Sequence, residues 1–199
     1  MKYWYKTIID FEFKKDWVFP ETSLTEPAWW TTTPENVVSK DFMESMRLLG
    51  LPMAKLSIFY CPPFCSPTDA HIDISKDNNL QARTVGFNYA IGGSDSKMVW
   101  YKPLTPHHST GLSESNKVQG KWPKYLIHWP IVPEELQEEE SVTITGKHLT
   151  MVRVDVPHAL FTGNEPRWCI SLRCQNPTKA MPSWDEFVAE MRQKQLLDE

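Results

Sequence analysis

Two stretches of the chain repeat apolar residues at helical spacing. The first is PENVVSKDFMESMRLL, Pro34 to Leu49, where Val37, Val38, Phe42, Met46 and Leu49 share one face. Pro34 suits a first helical position, Thr33 is a ready cap, and Gly50 followed by Pro52 ends the pattern. The second begins at Ser183, which has the spacing of a capping box with Glu186, ahead of Phe187, Val188, Met191 and Leu196. Between these helices the pattern changes to short β-rich runs. They are AKLSIFY (Ala54 to Tyr60), RTVGFNYAI (Arg83 to Ile91), KMVWY (Lys97 to Tyr101), SVTIT (Ser141 to Thr145), HLTMVRVDV (His148 to Val156) and RWCISLR (Arg167 to Arg173). Gly92-Gly93 and Gly146 supply turns between them. Many short strands separated by turns predict a mainly β fold, a sandwich or barrel rather than a parallel α/β sheet. Pro103 to Glu140 fits no regular element and is rich in Pro, Ser, His and charge. A long irregular insertion of this kind reads as a lid or binding loop.

Composition narrows the function classes. The 199 residues are 41% hydrophobic and 12% aromatic, with nine tryptophans, enough for one domain with a sizeable core and against intrinsic disorder. Lys+Arg is 21 and Asp+Glu is 25, a net charge of −4, which argues against a broad nucleic-acid-binding surface. No apolar run approaches the ~18 residues of a membrane span. The N-terminal MKYWYKTIIDFEFKKDWVF lacks an apolar signal core, so a cytoplasmic location is expected. Cys61, Cys65, Cys169 and Cys174 have neither thioredoxin nor zinc spacing and read as reduced thiols.

The sharpest chemical feature is AHIDIS, Ala70 to Ser75. On an extended strand His71 and Asp73 point to the same side, so an imidazole and a carboxylate face one point. His158, in DVPHALFTGNEPRWCISLR, is the best third ligand. Two His and one carboxylate leave three open positions on an octahedral Fe(II), room for a chelating co-substrate and dioxygen. Arg167 lies nine residues after His158, across the GNEP turn of Gly163 to Pro166. If His158 ends one strand and Arg167 opens the next, the two form a hairpin and Arg167 approaches the metal pocket. Its guanidinium suits a carboxylate. Alternation puts Arg167, Cys169, Ser171 and Arg173 on one face, and two inward arginines need anionic partners. The plain alternatives are a solvated His-x-Asp, arginines at a sheet edge, and Tyr60 and Asn88 as packing or hydrogen-bonding residues. His107-His108 are loop neighbours that rarely aim at one ion. His128 and His148 have no supporting pattern. Glu134 to Glu140 reads as a solvated face, and Trp29-Trp30 as core.

The order His-x-Asp, distant His, then Arg resembles the signature of the Fe(II)- and 2-oxoglutarate-dependent dioxygenase superfamily. The closer likeness is to its prolyl-hydroxylase-like and aspartyl-hydroxylase-like branches. RTVGFNYAIGG (Arg83 to Gly93) resembles the strand after the first metal motif there, and FYCPPF (Phe59 to Phe64) the strand and turn before it. The likeness spans about residues 54 to 173. It implies a double-stranded β-helix (jelly-roll or cupin-like) core with flanking N- and C-terminal helices. It also implies His71, Asp73 and His158 as iron ligands, with Arg167 on the distal carboxylate of 2-oxoglutarate. Asn88, favoured over Tyr89, or Tyr60 adds a hydrogen bond to that co-substrate. Cys169 stands where some branches carry Ser. Arg173 matches the paired arginines of nucleic-acid-repair branches, whose basic surface is missing here. The implied reaction uses O2 and 2-oxoglutarate to hydroxylate an unactivated C–H bond of an amino acid, peptidyl side chain or small metabolite. The acid Asp73 argues against halogenation. Two other readings stay open: a cupin-like metal enzyme that does not use 2-oxoglutarate, and a non-catalytic β-barrel binding module.

Overall fold

The computed structural model describes residues 2–73, 84–109, 127–146, 148–174 and 182–199. It is mainly β, with twelve described strands, one short 3-10 turn and two α-helices. The strands form two antiparallel six-stranded sheets, and no strand pairing joins the two among the described residues.

The first sheet runs β1 (Trp4–Asp10), β10 (His148–Arg153), β5 (Val85–Gly92), β12 (Arg167–Cys174), β3 (Met53–Cys61) and β2 (Ala28–Thr32), in that spatial order. The second runs β7 (His108–Ser109), β8 (Ile127–Pro130), β4 (Asp69–His71), β11 (His158–Phe161), β6 (Lys97–Pro103) and β9 (Leu136–Val142). Strands β1 and β2 lie outside residues 54 to 173, yet they form the two edges of the first sheet.

Alternation sorts the core into layers. The largest apolar cluster joins Leu56, Ile58, Phe87, Leu149, Met151, Ile170 and Leu172 to residues of both helices, including Phe42, Met46, Trp184 and Val188. The helices therefore cover one face of the first sheet. A second cluster, Ala90, Met98, Trp100, Val152 and Val154, combines residues of both sheets. There Trp100 is fully buried, and its Nε1–H donates to the Arg153 carbonyl at 2.8 Å. A third cluster, Ala70, Val99, Tyr101, Trp129, Leu136 and Ala159, gathers on the second sheet.

The first helical segment divides in two. Pro34–Asn36 is a 3-10 turn, and α1 starts only at Lys40 and runs to Leu48. Ser39 is the physical reason: its hydroxyl accepts from the Phe42 N–H and caps a new helix, while Thr33 makes no side-chain cap. Val38 instead bridges Phe13. Helix α2, Trp184–Gln193, carries the full Ser183–Glu186 capping box expected from its sequence. The acidic run after Glu135 is mostly exposed and builds β9, whereas the strand expected at Ser141 to Thr145 ends at Val142. The start of the run Arg83 to Ile91 lies outside the described residues, as do Ile74 and Ser75. So does the centre of the Pro103 to Glu140 insertion, whose described ends form β7, β8 and β9.

His158 and Arg167 are not joined as a hairpin. His158 opens β11 in the second sheet, and Arg167 opens β12 in the first. The residues between them cross from one sheet to the other. Thr162 pins this crossing, donating its hydroxyl to the Pro62 carbonyl at 2.6 Å and accepting from the Cys65 N–H at 2.8 Å. The GNEP segment still turns, held where Asp95 accepts from the Asn164 N–H at 2.6 Å.

Candidate metal centre

Three short facts of strand geometry assemble the site. In β4, Ala70 is fully buried in the third apolar cluster, so Asp69 and His71 point the other way. His158 in β11 is the direct cross-strand partner of His71, and directly opposed residues project to the same face. Their ring centroids are 4.5 Å apart. Asp73 follows the end of β4, where its N–H donates to the Val154 carbonyl at 2.8 Å.

Asp73 Oδ1 sits 3.7 Å from His71 Nε2 and 4.0 Å from His158 Nε2. One ligand atom from each of the three residues lies within 4.8 Å of the others, close enough to hold a metal ion. His158 Nδ1 is 2.9 Å from the Val156 carbonyl oxygen. A carbonyl accepts only, so Nδ1 carries the proton and the Nε2 lone pair is free for the metal. Burial lowers the pKa of both imidazoles, and for His71 the neighbouring His158 adds to that, against the opposing pull of Asp73. Both rings are thereby held neutral, the form that coordinates a cation.

The other carboxylate oxygen of Asp73, Oδ2, accepts from the guanidinium of Arg173. The paired-arginine resemblance implies a co-substrate role for Arg173; in the structure its guanidinium holds Asp73. It retains a buried Nη1 with no partner among the described residues, and it lines the same cavity. Gly86 makes this reach feasible, because a Cβ there would collide with Arg173 Nη1.

Arg167 is 2% exposed and lies opposite Cys61 on one side and Gly92 on the other. A Cβ on Gly93 would fall 2.8 Å from the Arg167 Cβ, so Gly93 has to be small. Arg167 Nε is buried with no hydrogen-bond partner, and no carboxylate pairs with this guanidinium among the described residues. Its polar neighbour is the Cys169 thiol. A buried cation without a counter-charge is costly, so the geometry suits an anionic ligand here.

Both arginines, the triad and Asn88 line one cavity of about 370 Å³, within the usual range for small-molecule sites. Asn88 faces it, and its Oδ1 accepts from the Ser171 hydroxyl at 2.6 Å. Tyr89 faces away and stacks on Phe11 at 4.5 Å. Tyr60 does not reach the cavity. Strand parity turns Phe59 inward, while the Tyr60 ring lies in the main core with its hydroxyl donating to the Leu24 carbonyl at 3.1 Å. His107 packs against Trp129, and His108 approaches Glu135 at 3.3 Å; neither belongs to the His71–Asp73–His158 group. The cavity wall also holds Asp69, which sequence reasoning did not single out, and Cys65, which it read only as a reduced thiol. Asp69 was legible, since it precedes His71 and Asp73 at the same two-residue interval. Gly86 carried no such signal, because its role depends on a side chain from another strand.

No described helix is long and apolar enough to cross a membrane. No family model, curated protein or solved structure matches the chain.

Proposed function

We propose that this cavity is the site of an Fe(II)- and 2-oxoglutarate-dependent oxygenase carried on a double-stranded β-helix. One observation carries the reading: the His71–Asp73–His158 group shares its cavity with Arg167, a buried cation lacking a carboxylate partner among the described residues. The donor set of two neutral imidazoles and one carboxylate suits Fe(II), and the guanidinium suits the far carboxylate of 2-oxoglutarate. The bound ion and co-substrate would supply activation of O2, converting R–H, O2 and 2-oxoglutarate to R–OH, succinate and CO2.

The chain's own residues have separable tasks. His71, Asp73 and His158 hold the cation. The Val156 carbonyl orients His158, and Arg173 orients Asp73 so that only Oδ1 faces the two imidazoles. Arg167 anchors the dicarboxylate, and Asn88, braced by Ser171, offers its amide N–H groups to the cavity. Phe59, Met98, Val154 and Leu160 exclude water.

Anaerobic titration with Fe(II) and then 2-oxoglutarate tests the reading through visible absorption. A weak charge-transfer band requiring both additions is expected, and Arg167→Ala should weaken its 2-oxoglutarate dependence at least tenfold. Iron binding without any effect of 2-oxoglutarate would overturn the co-substrate assignment in favour of a cupin-like enzyme. No iron binding would overturn the metal assignment.

A further inference from the structure

The polar groups lining the cavity can be assigned in turn. His71, Asp73 and His158 form the triad, and Arg173 is engaged by Asp73. Asn88 and Ser171 are engaged with each other. Among the described residues two charged side chains remain: Arg167 on the first sheet and Asp69 on the second. The Asp69 carboxylate is half-buried and accepts from the Thr68 hydroxyl at 3.2 Å, and no Lys, Arg or His pairs with it among the described residues. It shares a strand face with His71, two residues away, which places their Cα atoms about 7 Å apart.

We propose that Asp69 is the specificity-determining residue for a cationic substrate, an ammonium or guanidinium group on an aliphatic chain. This rests on the oxygenase reading above, in which Arg167 is taken by the co-substrate. The two uncompensated charges then divide the ligands between them: the cation on one sheet takes the dicarboxylate, and the anion on the other takes the substrate. A carboxylate beside an apolar wall holds an ammonium by a charge-assisted hydrogen bond, stronger than one between neutral groups. Pro27, Phe59, Pro67 and Leu160 give an aliphatic stem its surface. The Asp69-to-His71 spacing puts the oxidised carbon several bonds from the charged nitrogen.

The test uses the full chain loaded with Zn(II), a redox-inert ion, and 2-oxoglutarate. Calorimetry compares n-pentylammonium, pentanoate and 1-pentanol. We expect n-pentylammonium to bind most tightly, Asp69→Asn to weaken it at least tenfold, Asp69→Glu to restore part of the loss, and Asp69→Lys to favour pentanoate. Equal binding of n-pentylammonium to wild type and Asp69→Asn would overturn the proposal, as would no binding or a preference for pentanoate or pentanol in the wild type. Thermal melts of each variant verify that it folds. The Fe(II)–2-oxoglutarate absorption band reports on the oxygenase reading separately. A band with no ammonium preference rejects only the substrate class. An Asp69-dependent ammonium preference without the band keeps the cation site and rejects the oxygenase.

Discussion

At the scale of single residues, Asp73 has two proposed duties that a second substitution separates. Asp73→Ala removes a proposed metal ligand and also leaves Arg173 largely buried without its partner. Losing one member of a buried ion pair costs about 3–5 kcal/mol. The variant is therefore expected to lose both stoichiometric metal binding and 2-oxoglutarate turnover, and to melt at lower temperature even without metal. Asp73→Ala combined with Arg173→Met should recover melting temperature but not metal binding. Succinate formation at the wild-type rate in Asp73→Ala would reject the ligand assignment. A second residue-scale expectation concerns Cys65 in the cavity wall. The Cys61 thiol hydrogen-bonds to it and favours its thiolate, bringing its pKa down to about 7 from the usual 9.0, while burial opposes this. Cys61 and Cys169 are shifted upward, and burial pushes Cys174 up to about 12. A thiolate alkylates and a thiol does not. Iodoacetamide should thus label Cys65 first, with the rate rising through about pH 7, as read by peptide mass spectrometry. Cys61→Ala should move that rise to higher pH, and an unchanged profile would sink the thiol-pair account.

At the scale of elements, legibility in the sequence followed the range of the interaction. Helix α2 was readable because Ser183 and Glu186 cap it locally. The first helix was misplaced because Ser39, a cap inside the periodic stretch, outcompetes Thr33. His71 and Asp73 could be paired from spacing alone, and the shared face of Arg167 and Arg173 followed from alternation, whereas the choice of Asn88 over Tyr89 rested on the family resemblance. Tyr60 failed by parity, one residue from the inward-facing Phe59. The hairpin between His158 and Arg167 failed for a different reason. A turn sequence specifies a reversal but not which sheet receives the next strand. That choice was made by long-range contacts of Thr162 with Pro62 and Cys65. Strand β5 carries the corresponding expectation. Gly86→Val should displace the Arg173 guanidinium and release Asp73 while leaving all three ligands in place. Loss of such an outer partner typically weakens metal binding 10–100-fold. Equilibrium dialysis should detect a loss of about that size, with far-ultraviolet circular dichroism unchanged; undiminished affinity would show that Asp73 needs no such brace.

At the scale of the whole molecule, the proposed metal ligands His71 and His158 stand on one sheet and Arg167, the proposed anchor, on the other. The residues between His158 and Arg167 are one of several covalent links across, and Met98, Trp100 and Val152 fill part of the space between. Packed sheets are spaced about 10 Å apart by the side chains between them. The separation from metal to guanidinium is therefore a property of inter-sheet packing rather than of any one strand. The two sheets act as the jaws of a caliper. In the proposed oxygenase its opening would gauge the carbon chain of the dicarboxylate held between them, and Trp100, directly across the strand pair from His158, helps to set the gauge.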